Sequence, residues 1–141
     1  LRDQSECGSC FTMAYVQAIE SRLRLKYAHE GAKAAQQVSP QQVLMCNYMA
    51  EGCEGGLAIF DGYLAENGHL TTEECAPYKA RTKNDHCGNY KGCPAYAKVN
   101  KSYYLNGYNF NPSVEQIKKE LMMHCLMYGV NMYNEITELL S

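Results

Sequence analysis

The sequence predicts an α+β fold in which helices come first and β-structure follows. Up to about residue 68, apolar residues recur at a helical period between clear helix start and stop signals. From there to about residue 112, turn residues, cysteines and tyrosines indicate irregular structure with short strands. A further helix and an apolar strand then follow. We therefore expect a domain boundary near residue 100, between a helical, cysteine-rich unit at 1–100 and a partial β-rich unit at 101–141.

The first two helices have distinct sequence signals. One is predicted from residue 9 to about residue 27, where apolar residues lie on one helical face: Phe11, Ala14, Tyr15, Ala18, Ile19 and Leu23. The second starts with Ser39 as the N-cap, Pro40 at the first helical position and Gln42 three residues after the serine. This order predicts a capping box, in which each of the two polar side chains binds the other residue's main-chain N–H.

The later elements are predicted from glycines and from a second capping signal. A glycine-rich turn at 52–56 precedes a third helix over 57–67, which Gly68 ends. Ser113 and Gln116 repeat the capping pattern and predict a helix to about residue 124. The apolar run at 126–133 is predicted to form one buried strand.

Composition and charge exclude several classes of protein. The 141 residues are 46% hydrophobic and 20% charged, which is typical of a globular domain and not of a disordered chain. No apolar run is long enough to span a membrane, and a net charge of −2 gives no reason to expect a nucleic-acid partner. Because the chain opens on polar residues without a signal-peptide pattern, we expect it to be cut from a longer precursor.

Cysteine is the compositional outlier. A content of eight cysteines in 141 residues indicates either disulfides in an oxidising compartment or a metal site. A zinc site usually needs two close ligand pairs, whereas only Cys7 and Cys10 have C-x-x-C spacing. We therefore predict disulfides and no metal, and the spacing alone leaves the pairing open. The eight cysteines are Cys7, Cys10, Cys46, Cys53, Cys75, Cys87, Cys93 and Cys125.

The most informative stretch is residues 4–11, Gln-Ser-Glu-Cys-Gly-Ser-Cys-Phe. Cys10 falls in the first turn of the first predicted helix, where main-chain N–H groups and the helix dipole favour the nucleophilic thiolate. The side-chain amide of Gln4 can fold back beside the sulfur and donate to a developing oxyanion, with the N–H of Cys10 as second donor. Cys10 is thus the predicted nucleophile, and Gln4 is the predicted oxyanion donor. Gly8 has no side chain, so other groups can approach the main chain closely at this position.

Two blocks of the sequence resemble the papain family of cysteine peptidases. Residues 4–11 match the family's opening segment, in which the second cysteine is the nucleophile. Residues 38–56 contain a Ser-Pro-Gln helix start, a cysteine and Gly-Cys-Glu-Gly-Gly in the family's order and at similar spacing. Within the family, Glu54 and the Glu-Cys-Ala-Pro-Tyr sequence at 74–78 are similar to heavy chains of the dipeptidyl peptidase I (cathepsin C) type.

The resemblance implies a papain-like fold, with the helical left domain and the beginning of the β-rich right domain in this chain. It also implies three disulfides: Cys7–Cys53, Cys46–Cys87 and Cys75–Cys93. Cys10 would then be free to react, and Cys125 would be free and part of the core. A redox pair formed by Cys7 and Cys10 is a competing interpretation, which a Cys7–Cys53 disulfide would exclude.

The resemblance places substrate and ion sites as well. Gly55 and Gly56 would line the cleft and pair through their main chain with an extended peptide, and Leu57 would edge the pocket for the second substrate residue. The alternative is that both glycines simply permit a tight turn. No cofactor is required, although the resemblance suggests a chloride ion at Tyr104 or the neighbouring Tyr103.

A cysteine alone does not complete this type of active site. A histidine must protonate the leaving amine and an asparagine must orient it, and in the family both follow the nucleophile by roughly 130–150 residues. The chain ends at residue 141, and its four histidines are predicted to be non-catalytic: His29, His69, His86 and His124.

Two functions remain open at this point. The chain is predicted to belong to a dipeptidyl peptidase I-like exopeptidase, with histidine and asparagine supplied by a second chain or missing segment. That resemblance implies a peptide substrate, a zymogen, an exclusion-type domain, a homo-oligomer, and a lysosomal, vacuolar or secretory-pathway location. The alternative is a catalytically inactive papain-like subunit that serves a larger assembly as a structural or binding piece.

Overall fold

The computed structural model describes residues 2–28, 36–105, 111–124, 128–130 and 133–139, with side chains up to residue 123. Helices precede most of the strands, which confirms the predicted α+β class, and the predicted bounds of the first and third helices are met to within one residue. The elements are α1 Cys10–Lys26, α2 Pro40–Cys46, α3 Ala58–Asn67, β1 Val99–Tyr104, α4 Val114–His124, β2 Tyr128–Val130 and β3 Tyr133–Leu139. Two short 3-10 helices, Gly52–Glu54 and Cys87–Tyr90, lie in the loops.

The main core lies where α1 meets α2 and α3. Its α1 residues follow the predicted helical period, and Tyr15 and Ile19 are fully buried. They pack with Val43 of α2 and with Leu70, which follows α3. Burial of such large side chains is the main stabilising contribution to a domain of this size. It also fixes the start of α1 relative to the two other helices.

α2 begins with only half of the predicted capping box. The Ser39 hydroxyl accepts the N–H of Gln42 at 2.9 Å, and Pro40 lies in the first turn, both as predicted. The Gln42 side chain, however, accepts the N–H of Thr71 at 2.9 Å and donates to the carbonyl of His69 at 2.8 Å. The reciprocal half of the prediction is wrong because Gln42 is buried against residues 69–71, whose main-chain groups need partners there.

α4 has the complete capping box. The N–H of Ser113 donates to the Gln116 side-chain oxygen at 2.7 Å, and the N–H of Gln116 donates to the Ser113 hydroxyl at 3.2 Å. Both residues are exposed, so no tertiary contact competes with this local arrangement. The prediction is confirmed at this helix.

The three strands form an antiparallel sheet in the order β1, β3, β2. Tyr103 of β1 lies opposite Ile136, and Val130 of β2 lies opposite Tyr133. The single strand predicted over 126–133 is therefore wrong, because this region contains β2 and the beginning of β3. The intervening Asn-Met sequence lacks the glycine that follows asparagine in the strongest two-residue hairpin signal, so the sequence does not mark a tight hairpin there.

Three disulfides crosslink the described part of the chain. They are the pairs that the resemblance implied: Cys7–Cys53, Cys46–Cys87 and Cys75–Cys93. The first excludes the redox pair of Cys7 and Cys10. Cys125 lies outside the described residues, and the domain boundary near residue 100 stays a prediction. Within the described ranges, no helix has the length and apolar character to cross a bilayer. The same residues include no group of three or more His, Cys, Asp or Glu side chains that could hold a metal ion.

A hydrogen-bond network around Asp85 ties the loop after the 74–78 segment to α2. The carboxylate accepts Gln41 at 3.0 Å, Lys79 at 3.1 Å and Asn89 at 2.7 Å, and it also accepts the hydroxyl of Tyr90. Burial alone would raise the pKa of Asp85, but these four donors hold it well below its usual range. The loop is therefore anchored by a carboxylate that stays ionised in mild acid.

Candidate active site

Cys10 is the first residue of α1 and the one free cysteine in the described part of the chain. Its side chain is exposed, whereas the preceding Ser9 is fully buried as the N-cap. The first N–H groups of a helix have no acceptor inside the helix, so the N–H of Cys10 is available to a bound group. The thiol predicted to be the nucleophile is thus accessible on a rigidly held helix start.

Gly8 brings the nucleophile segment against the glycine-rich turn. Its N–H donates to the carbonyl of Cys53 at 2.7 Å, and the Cys7–Cys53 disulfide lies directly beside this bond. A Cβ atom on Gly8 would lie 2.5 Å from the Cys53 carbonyl oxygen, so only glycine fits. The close main-chain approach therefore sets residues 52–57 beside the start of α1.

Two of the three glycines in the glycine-rich turn have different structural roles. Gly55 has φ +127°, which favours glycine, and its N–H and carbonyl bind Gly52 and Glu51 inside the turn. Gly56 makes no hydrogen bond to the described residues, and its Cα faces the ring of Phe11, the residue after the nucleophile. The turn interpretation therefore accounts for Gly55, while Gly56 keeps free main-chain groups. Leu57 follows with half of its surface exposed.

Gln4 is half-buried and is held by its main chain. Its carbonyl accepts the hydroxyl of Tyr78 at 3.0 Å, and the same hydroxyl lies 2.6 Å from the Ser9 Oγ. Arg2 anchors the start of this segment by donating to the carbonyl of Val38 at 2.9 Å. The Tyr78 hydroxyl therefore links the main chain of Gln4 to Ser9, the residue before Cys10.

Tyr78 was missed by sequence reasoning. The tyrosine belongs to the 74–78 segment that carried the resemblance, but it is separated from Ser9 and Gln4 by 69 and 74 residues. No local pattern links residues so far apart, because a single phenol group has no motif of its own. A tyrosine that follows a proline was the only signal in the sequence, and it does not indicate which groups the hydroxyl meets.

The described histidines do not complete the site. His69 is half-buried after α3, and its carbonyl binds Gln42; His86 is exposed before the 3-10 helix Cys87–Tyr90. His29 and the side chain of His124 lie outside the described residues. Within that part of the chain, no side chain is hydrogen-bonded to the Cys10 sulfur. The described residues thus supply an accessible free thiol at a helix start, and neither described histidine is hydrogen-bonded to it.

Tyr103 and Tyr104, the two tyrosines considered for chloride, lie in β1. The Tyr103 hydroxyl donates to the buried carboxylate of Glu120 at 3.0 Å, so a carboxylate already accepts its proton. Tyr104 is half-buried and remains the predicted residue.

Comparison with known proteins gives a consistent result over most of the chain. A family model described as papain family cysteine protease matches residues 1–138. Cysteine proteinase B of Leishmania mexicana is 41% identical over 81 residues, which cover 55% of this chain and 17% of the relative. A cathepsin B-like cysteine proteinase 1 of Ostertagia ostertagi is 27% identical over 146 residues, covering 85% of this chain and 42% of the relative. The chain thus spans less than half the length of these curated relatives.

Solved structures give the same fold. A cysteine protease of Carica candamarcensis in complex with E-64 has a TM-score of 0.67 at 20% identity, covering 87% of this chain and 53% of the other. The bromelain protease of Ananas comosus, also in complex with the E-64 inhibitor, has a TM-score of 0.61 at 26% identity, over 74% and 45% of the two chains. The described elements therefore correspond to about half of a protease of this fold.

Proposed function

The chain belongs to the papain family of cysteine proteases, and on that premise we propose that it is the nucleophile-bearing part of an active cysteine peptidase. The observation that carries the proposal is the exposed free Cys10 at the start of α1, set beside the glycine-rich turn by the Cys7–Cys53 disulfide. The substrate is a peptide.

In the proposed reaction, the Cys10 thiolate attacks the carbonyl carbon of the scissile peptide bond. The side-chain amide of Gln4 and the N–H of Cys10 donate to the oxyanion that forms. A histidine from outside the described residues protonates the leaving amine, with an asparagine orienting its ring. Water then hydrolyses the acyl-enzyme and regenerates the thiol.

The substrate main chain is proposed to pair with Gly56. This glycine has an N–H and a carbonyl that no described group uses, whereas the N–H of Gly55 is bound within its own turn. Strand-like pairing needs free main-chain groups and no side chain. Leu57, exposed beside it, would contact the second substrate residue.

We further propose dipeptidyl peptidase I-like exopeptidase activity, on the resemblance at Glu54 and at the 74–78 segment. The second chain, the exclusion-type domain, the homo-oligomer and a chloride ion at Tyr104 belong to the same proposal. Three disulfides agree with an oxidising compartment, such as the secretory pathway or the lysosome. An inactive papain-like subunit is the competing function.

Labelling of the full-length protein with E-64 tests the proposed function, because this peptidyl epoxide alkylates an activated thiol. We expect one adduct on Cys10, none in the Cys10→Ala variant, and an unchanged adduct in the Cys125→Ala control. Intact-mass analysis and peptide mapping give the readout. An assembly that hydrolyses no peptide and takes up no label would favour the inactive subunit.

The exopeptidase proposal is tested separately, with two peptides that differ only at the amino terminus. We expect release of dipeptides from a peptide with a free amino terminus and no cleavage of the same peptide after N-acetylation. Equal cleavage of both peptides at internal bonds would contradict the exopeptidase proposal and leave the peptidase proposal standing.

A further inference from the structure

The Tyr78 hydroxyl connects two segments that meet at the candidate active site. It lies 2.6 Å from the Oγ of Ser9, the residue before the nucleophile, and donates to the main-chain carbonyl of Gln4 at 3.0 Å. A phenol has one proton, and the Gln4 carbonyl can only accept. Tyr78 therefore gives its proton to Gln4, and Ser9 donates to the Tyr78 oxygen.

Ser9 and Tyr78 are themselves firmly held. Ser9 is fully buried, and its carbonyl accepts the N–H of Met13 at 2.9 Å in the first turn of α1. The Tyr78 side chain packs on the cluster formed by Cys7, Phe11 and Leu44. The hydroxyl therefore has a fixed position relative to Cys10.

The Tyr78 main chain is anchored as well. Its N–H donates to the Glu73 carboxylate at 2.8 Å, and nearby Ala76 is buried with its carbonyl bound to the Ser39 hydroxyl at 2.6 Å. Burial raises the pKa of Tyr78, an effect that the Ser9 hydrogen bond partly offsets. The phenol thus stays protonated and remains a donor across the neutral and acidic range.

We propose that Tyr78 is a positioning residue, which holds the oxyanion donor Gln4 in register with the nucleophile Cys10 through the chain Ser9–Tyr78–Gln4. This inference rests on the proposed peptidase function. The described hydrogen bonds of the Tyr78 hydroxyl go to Ser9 and Gln4 and not to the Cys10 sulfur, so Tyr78 acts through the position of Gln4. Small displacements of such groups are costly, since about 1 Å can lower a rate by roughly 100-fold.

The test uses Tyr78→Phe in the full-length protein, because this change removes the hydroxyl and keeps the ring. We expect kcat on a peptide amide to fall by about 10-fold with KM changed by less than about 2-fold, since an interaction with the transition state is weakened. Tyr96→Phe is the matched control: its hydroxyl also donates to a main-chain carbonyl, that of Gln36 at 3.3 Å, away from this cluster. It should leave kcat unchanged.

A double-mutant cycle with Gln4→Ala separates positioning from general destabilisation. Gln4→Ala removes the oxyanion donor but retains the carbonyl that Tyr78 binds. If Tyr78 acts through the Gln4 side chain, Tyr78→Phe has almost no further effect on kcat in the Gln4→Ala background. A fall of the same factor in both backgrounds would overturn the inference, as would a wild-type kcat in Tyr78→Phe itself.

Ser9→Ala breaks the same chain at its other end and serves if Tyr78→Phe does not fold. It must lower kcat with a similar KM, and an unchanged kcat would overturn the inference. An active, labelled wild-type enzyme with insensitive Tyr78 and Ser9 variants defeats this inference alone. A wild-type protein with no activity and no label on Cys10 defeats the proposed function, and the positioning role with it.

Discussion

Gly56 is the residue at which packing and proposed function coincide. A Cβ atom there would lie 2.7 Å from the Phe11 ring and 2.7 Å from the Cβ of Ala50. A Cβ atom on the exposed Gly92 would have nothing within 4 Å, so this glycine provides a matched control. The same glycine-to-alanine substitution at these two positions therefore compares a crowded site with an open one.

We expect Gly56→Ala to lower the free energy of unfolding by about 1–3 kcal/mol, because the ring next to the nucleophile must shift. It should also lower kcat/KM on a peptide substrate, whereas Gly92→Ala should change neither quantity. Urea denaturation and steady-state kinetics of the full-length variants give the measurement. Wild-type kinetics in Gly56→Ala would contradict the placement of the substrate beside this glycine.

Asp61 is a fully buried carboxyl group near the start of α3. Burial raises its pKa well above the ordinary value, and the hydrogen bond from Asn47, at 2.8 Å, only partly offsets this effect. The folded state therefore binds a proton more tightly than the unfolded state. The stabilising contribution of protonated Asp61 is complete below the pKa of about 3.9 that an aspartate has in the unfolded state, and it is lost as the pH rises through the pKa of Asp61 in the folded state.

We therefore expect the contribution of Asp61 to stability to fall as the pH rises from about 4, and we expect Asp61→Asn to remove this part of the pH dependence. Denaturant unfolding at several pH values measures both. Asp85→Asn is the control with the opposite sign, since the lowered pKa of Asp85 gives stability above about pH 3.9 that is lost on further acidification. An Asp61→Asn variant whose stability has the same pH dependence as that of the wild type between about pH 4 and about pH 7 would contradict the assignment to Asp61.

At the scale of the element, two helices with the same start signal show what the local sequence can predict and what it cannot. Ser-x-x-Gln precedes both α2 and α4. At Ser113 the signal predicts the full capping box correctly, because the residues are exposed and only local geometry decides. At Ser39 it predicts the serine's role but not the glutamine's, because buried Gln42 binds residues from another part of the chain.

The difference predicts unequal costs for the two serines. Ser39 is fully buried and also donates to the carbonyl of Ala76 at 2.6 Å, so Ser39→Ala removes a cap and leaves a buried acceptor unpaired. We expect it to cost about 2–4 kcal/mol of unfolding free energy. Ser113→Ala removes an exposed cap and should cost about 0.5–1 kcal/mol. Equal losses in chemical denaturation would contradict the role given to Ala76.

At the scale of the whole molecule, the candidate site is assembled from three separate stretches. The two that have motifs, around Cys10 and around Gly56, can be identified from the sequence, because cysteine and glycine have roles that few residues can replace. Tyr78 cannot be given a role in the same way, since only the tertiary fold brings residue 78 to residues 4 and 9. Long-range contacts of this kind have no local signature.

The disulfides hold different stretches of the chain together. Cys7–Cys53 closes a sequence separation of 46 residues, and Cys75–Cys93 closes one of 18. When both cysteines of a pair are replaced by serine, loop entropy predicts that the free energy of unfolding falls by about 4 kcal/mol for the first pair and about 3 kcal/mol for the second. The stability costs are thus similar, but only Cys7–Cys53 joins the nucleophile segment to the glycine-rich turn. We expect its removal to lower kcat/KM under conditions where both variants remain folded, while the Cys75–Cys93 variant keeps more of its activity. Equal activities at equal folded fractions would mean that the Gly8–Cys53 hydrogen bond and the Gly56–Phe11 contact suffice to hold the site.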